Sequence, residues 1–220
     1  MSVLNILVDA DSATLITDGA GFRAGRLVSL SRKQVALPHL SAVVGIRGNA
    51  GFAGQIKHWA DTCATLDELI NGVGGRLRKY KPWVRYLPAI FKVDIAIVAH
   101  NGRAPIAKVM SSFDRPGMPA FEWMNVTSWA APAVANIDGR FDLVARDPHR
   151  GAVNLVDAQR ALNDTPVGGY VQFTEIDQEG ITTRCLKVYR DKIGKAIDSK
   201  DMREAAYFRA RAVTSDGGWR

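Results

Sequence analysis

At 220 residues and 47% hydrophobic, the chain can bury one sizeable core and is too short for two ordinary domains, so residues 1–220 read as a single domain. Its 29 basic residues against 22 acidic leave a formal charge of +7, which favours acidic surfaces without singling out nucleic acid. No apolar run approaches the roughly 20 residues of a membrane span, and no basic region followed by an apolar block opens the chain, so a soluble cytoplasmic protein is expected.

In chain order, residues 3–8 and 13–17 are short β-rich runs separated by Asp9-Ala10-Asp11-Ser12, a turn-forming cluster, and predict a hairpin. A further apolar run follows at 41–46, after which glycines recur at Gly45, Gly48, Gly51 and Gly54 and mark a tight turn. Helical spacing at Phe52, Ile56, Trp59, Ala60 and Cys63, then at Leu66, Leu69, Ile70 and Val73, predicts two helices across 50–80. The runs 93–99 and 105–110 flank His100-Asn101-Gly102-Arg103, whose Asn-Gly predicts a second hairpin. Residues 153–162 read as a helix, 168–176 and 181–188 as a third hairpin, and about 200–213 as a last amphipathic segment. This order fits antiparallel sheets covered by helices, an α+β class, better than alternating βαβ units.

Neither a G-x-G-x-x-G nor a G-x-x-x-x-G-K-[ST] run occurs. Cys63 and Cys185 have no partner spacing and read as buried small apolar residues, and none of the four histidines has metal-ligand spacing. No metal or cofactor is expected. The stretch 76–86 interleaves basic and aromatic residues and could grip nucleic acid or an acidic partner, but a helix end whose Trp83 and Tyr86 pack inward while the basic residues face water is the favoured reading.

Several spacings together resemble the proteasome β-subunit and its bacterial counterpart, members of the N-terminal-nucleophile (Ntn) hydrolases. Ser2 and Asp18 stand sixteen residues apart with Gly19 next, as the family's nucleophile and its Asp do; Gly48 falls forty-six residues after Ser2, between a strand and a helix; and Asp164-Thr165-Pro166-Val167-Gly168-Gly169 opens a strand as the family's Asp and Gly-Gly do. The resemblance implies a four-layer α-β-β-α sandwich of two antiparallel sheets, a peptide or amide substrate, and assembly into a homo-oligomer. It also implies site roles for Ser2 as nucleophile, Asp18 and Lys33 as its support, Gly48 as oxyanion donor, and Asp164.

There are departures. The family's lysine falls on Gln34, with Lys33 one place earlier, and strand alternation would turn a slipped Lys33 away from Ser2. Val167 stands where the family has a serine, and the family's other active-site serine matches only loosely to Thr127 or Ser128.

An N-terminal serine carries its own base, because its free α-amine titrates near about 7.7–8.0. That chemistry requires removal of Met1. The rival expectation is a catalytically silent subunit of the same fold in a larger assembly, for example of a phage. Each residue also has an ordinary reading: Asp18 and Asp164 as turn residues, Gly48 as a corner glycine, Lys33 beside Arg32 as surface charge.

Overall fold

The computed structural model describes residues 2–23, 26–48, 50–79, 92–115, 117–162 and 166–197. It is a mixed α+β structure whose strand pairs are antiparallel. The strands are β1 (Leu4–Val8), β2 (Ala13–Asp18), β3 (Ala20–Arg23), β4 (Arg26–Leu30), β5 (Gln34–Leu37), β6 (Ala42–Arg47), β7 (Asp94–His100), β8 (Pro105–Ser111), β9 (Met124–Asn125), β10 (Ser128–Ala131), β11 (Tyr170–Ile176) and β12 (Ile181–Val188). The helices are α1 (Ala50–Ala60), α2 (Leu66–Lys79), α3 (Ile137–Arg146) and α4 (Pro148–Arg160). One sheet runs β10-β1-β2-β11-β12, a second β5-β6-β7-β8-β9, and β3-β4 forms a separate ribbon.

All three expected hairpins form. The first closes with the Asp9 N–H on the Ser12 carbonyl at 2.8 Å. In the second, the Asn101 side chain accepts from the amides of Arg103 and Ala104, an Asx turn. In the third, Asp177 does the same for Glu179 and Gly180.

The helices begin where the sequence supplies caps. Thr65 accepts from the Glu68 amide while the Glu68 carboxylate reaches back to the Ala64 amide, a variant of the capping box. Asp147 accepts from the Arg150 amide with Pro148 at the first helical position, so α4 starts before the expected residue 153. The structure adds β3, β4, β5, β9, β10 and α3 to the expected elements. The segment 200–213 lies outside the described residues.

Strands β6 and β7 are apolar nearly end to end because both of their faces are covered. Val44, Ile46, Ile95 and Ile97 pack against Ile56, Leu69, Val73 and Leu77 of α1 and α2. Their alternate neighbours Val43, Ala96 and Val98 share a cluster with Leu4, Ile6 and Leu15 of the other sheet. On that sheet's far face Val3, Ile16, Val171 and Phe173 meet Phe141, Val144, Leu155 and Val156 of α3 and α4. Each fully buried Leu, Ile or Phe in these clusters contributes about 1.5–3 kcal/mol. Gly45 is needed between the sheets, since a Cβ there would fall 2.8 Å from Leu4 Cδ1 and 2.9 Å from Leu15 Cδ2. Among the described residues, no helix is long and apolar enough to cross a membrane.

Candidate functional site

The β1–β2 register sets Leu4 opposite Thr17, so the next residues outward, Val3 and Asp18, meet at the open end of the hairpin. The Val3 amide donates to Asp18 Oδ1 at 3.0 Å. Asp18 is fully buried, and its other oxygen accepts from the amides of Gly168 at 3.2 Å and Ala20 at 3.4 Å. A carboxylate so enclosed requires these donors, and the required cation is Lys33, whose Nζ lies 2.6 Å from Oδ1.

Strand alternation does not decide the direction of Lys33, which reaches Asp18. Lys33 sits in the link between β4 and β5, outside any strand, so the two-residue repeat does not govern it. Its carbonyl accepts from the Ile46 amide at 2.9 Å, which fixes the link against β6. Gln34, the first residue of β5, is buried among strand residues of the first sheet. Its amide group donates to the Leu15 carbonyl and Thr17 Oγ1, and its oxygen accepts from Thr174. Burial pushes the Lys33 ammonium below its ordinary value of 10.5; Asp18 opposes that shift and Arg47 adds to it.

Ser2 is 5% exposed, and its carbonyl accepts from Arg47 Nε at 2.6 Å. Gly48 follows Arg47 at the end of β6. Its φ of +119° belongs to the region that favours glycine, and a Cβ there would fall 2.1 Å from the Lys92 carbonyl oxygen. The ordinary reading of Gly48 as a corner glycine therefore holds, and the same corner keeps it one residue from the side chain that grips Ser2.

The structure brings Ser2, Asp18, Lys33 and Gly48 to one end of the paired sheets. Asp164 lies outside the described residues. The glycines after it are in place: Gly168 donates to Asp18, and Gly169, at φ +74°, donates to Asp191. Asp191 in turn pairs with Arg160 at 2.6 Å, and Arg160 also donates to the Val167 carbonyl.

Thr127 and Ser128 are not brought to Ser2. Ser128 pairs with Leu7 and the Thr127 carbonyl accepts from Val8, at the opposite end of β1. Val167 is buried in the cluster facing α3 and α4. Of the 76–86 segment, only Arg76–Lys79, the end of α2, is described; there Leu77 is buried, Arg76 lies over Trp59 and Arg78 donates to the Phe121 carbonyl. Those two arginines already serve the fold. Cys63 is buried as expected, but Cys185 is exposed, because it lies on the edge strand β12.

The site residue that sequence reasoning missed is Arg47. An arginine ending an apolar strand reads as solvated charge, yet it is 7% exposed and bonded to Asp94 at 2.6 Å. The available signal was Asp94 opening the next strand of the sheet, since opposite charges at matching ends of neighbouring strands face each other. Asp94 also pairs with Arg115 at 2.6 Å.

Two surface pockets, of about 520 and 460 Å³, are lined by Arg78, Phe121 and Trp123 and by Trp59, Cys63 and Glu68, respectively. Neither of these two pockets is lined by Ser2, Asp18 or Lys33. Among the described residues, no three His, Cys, Asp or Glu side chains gather as metal ligands. No protein-family model and no curated protein sequence matches this chain.

Proposed function

We propose that this chain is an Ntn hydrolase of the proteasome type, cleaving amide or peptide bonds with Ser2 as nucleophile once the peptide bond preceding Ser2 has been cut. One observation carries the reading: the Lys33 ammonium and the amide immediately after Ser2 share a single oxygen of the buried Asp18. The packing of helices against the outer faces of two apposed antiparallel sheets supports the four-layer α-β-β-α architecture of that family.

In this reading the Ser2 α-amine takes the hydroxyl proton as Oγ attacks the substrate carbonyl carbon. The Gly48 N–H faces the developing oxyanion, where a preorganised donor is most effective. The protonated amine then hands its proton to the departing amine, an ester forms on Ser2, and water releases the acid. Lys33, held by Asp18, is the cation that in this reading favours the neutral form of the α-amine. The experiment is hydrolysis of fluorogenic peptide amides by protein whose mass shows a chain starting at Ser2. Turnover lost in Ser2→Ala supports the reading, and turnover unaffected by that substitution contradicts it.

A second reading is favoured by a specific observation. The positions matched to the family's two supporting hydroxyls do not supply them at Ser2, since Thr127 and Ser128 lie at the far end of β1 and Val167 is apolar. The same fold would then be a silent structural subunit of a homo-oligomer. That reading predicts a stable oligomer in which Ser2 stays acylated by the residue before it; a strictly monomeric protein contradicts it.

A further inference from the structure

The peptide group joining Ser2 to Val3 is held from both sides. Its carbonyl oxygen accepts from Arg47 Nε at 2.6 Å, and its N–H donates to Asp18 Oδ1 at 3.0 Å. The two grips come from different sheets, Arg47 from the end of β6 and Asp18 from the end of β2. Each is charge-assisted and buried, the class of hydrogen bond that is shortest and strongest. A peptide plane gripped at both its oxygen and its nitrogen cannot rotate about its flanking bonds without breaking one of them. The clamp therefore fixes the peptide plane and, with it, the position of the Ser2 Cα from which the amine and the side chain branch.

Arg47 can act this way because it is itself held. Its Nη1 lies 2.6 Å from Asp94 Oδ2, and the same oxygen receives Arg115 Nη2 at 2.6 Å. Arg115 is packed over the rings of Phe113 at 4.5 Å and Trp129 at 5.4 Å, so the outer end of the chain of contacts rests on aromatic surface. Asp94 is 1% exposed and sits directly across from Arg47 in the β6–β7 register. A lysine at position 47 could not reproduce this, because the fork that spans a carbonyl and a carboxylate at once needs the planar guanidinium.

We propose that Arg47, braced by Asp94 and Arg115, is a positioning residue that with Asp18 clamps the Ser2–Val3 peptide and sets the position of the Ser2 Cα. The assignment rests on the nucleophile reading only for its chemical consequence; the clamp itself is read independently.

The test uses the full-length protein, with Arg47→Lys as the principal variant and Arg47→Gln as the second. The first readout is NMR, through the Ser2 carbonyl shift and the exchange rate of the Val3 amide, with the amides of Ala96 and Val98 as internal controls for folding. The clamp predicts that both variants move the Ser2 carbonyl and speed Val3 exchange by about tenfold or more, as expected for loss of a hydrogen bond to a charged group, with the controls unchanged. A folded variant with Ser2 and Val3 signals like the wild type overturns it. The second readout is acylation of Ser2 by a β-lactone, which the clamp predicts to slow in Arg47→Lys. Wild-type protein that starts at Ser2 and takes no label overturns the nucleophile reading while the clamp is still decided by Val3.

Discussion

Lys33 and Asp18 form a 2.6 Å ion pair in which the carboxylate is fully buried and the lysine side chain only 11% exposed. Removing the cation leaves an anion in the interior with only amide donors around it. Lys33→Met is expected to destabilise the protein by about 3–5 kcal/mol, the range for breaking a buried pair by deleting one partner. Chemical denaturation at neutral pH measures it, and a loss below about 1 kcal/mol would place the pair effectively in solvent.

The pH dependence has a defined sign. Because burial lowers the Lys33 pKa below 10.5, the unfolded chain binds more protons than the folded one between the folded value and 10.5, so this group makes stability rise with pH across that window. Below the folded value the cost of the buried charge is present in full, and above 10.5 it has gone. Asp18 raises the lysine pKa, so Asp18→Asn is expected to shift the Lys33 titration further down. Nitrogen-15 NMR of the lysine amine follows both midpoints; an upward shift in Asp18→Asn contradicts the account.

Gly48→Ala tests the corner beside Ser2. The new methyl would meet the Lys92 carbonyl oxygen at 2.1 Å, and backbone cannot swing aside as a side-chain end can. Strain at a positive φ costs about 1–3 kcal/mol before any steric term, so a loss of at least about 2 kcal/mol is expected in thermal unfolding. An unchanged melting temperature would mean that the corner is not held in this conformation.

The hairpins were legible because turn chemistry and apolar runs agree locally, as at Asn101-Gly102. The ribbon of β3 and β4 was not, since its strands are short and Val28 and Leu30 are exposed rather than alternating inward. Helix α3 carries Ile137, Phe141 and Val144 at helical spacing, but Asp138 and Gly139 dilute the signal. At the candidate site, spacing singled out Asp18, which the structure buries against Val3 and Lys33, while the direction of Lys33 depended on its lying in a link rather than a strand. The burial of Arg47 depended on register between strands far apart in the chain, which no local pattern encodes.

The second tier behind Asp18 is testable too. Arg160 and Asp191 are both nearly buried, their forked contacts lie at 2.6 and 2.7 Å, and Asp191 also accepts from Gly169. Arg160→Met is expected to cost about 3–5 kcal/mol and to loosen the Gly168 amide that donates to Asp18. Faster hydrogen exchange at Gly168 than at Phe173 reports the local effect; equal protection at the two amides in the variant would separate this network from the site.

The most direct measurement is intact mass after exposure to a β-lactone, made on protein whose chain starts at Ser2, with Ser2→Ala and Lys33→Ala alongside. The account predicts a single added acyl group, mapped to Ser2 and absent from both variants. An added group that persists in Ser2→Ala, or a free Ser2 that takes none, would contradict it.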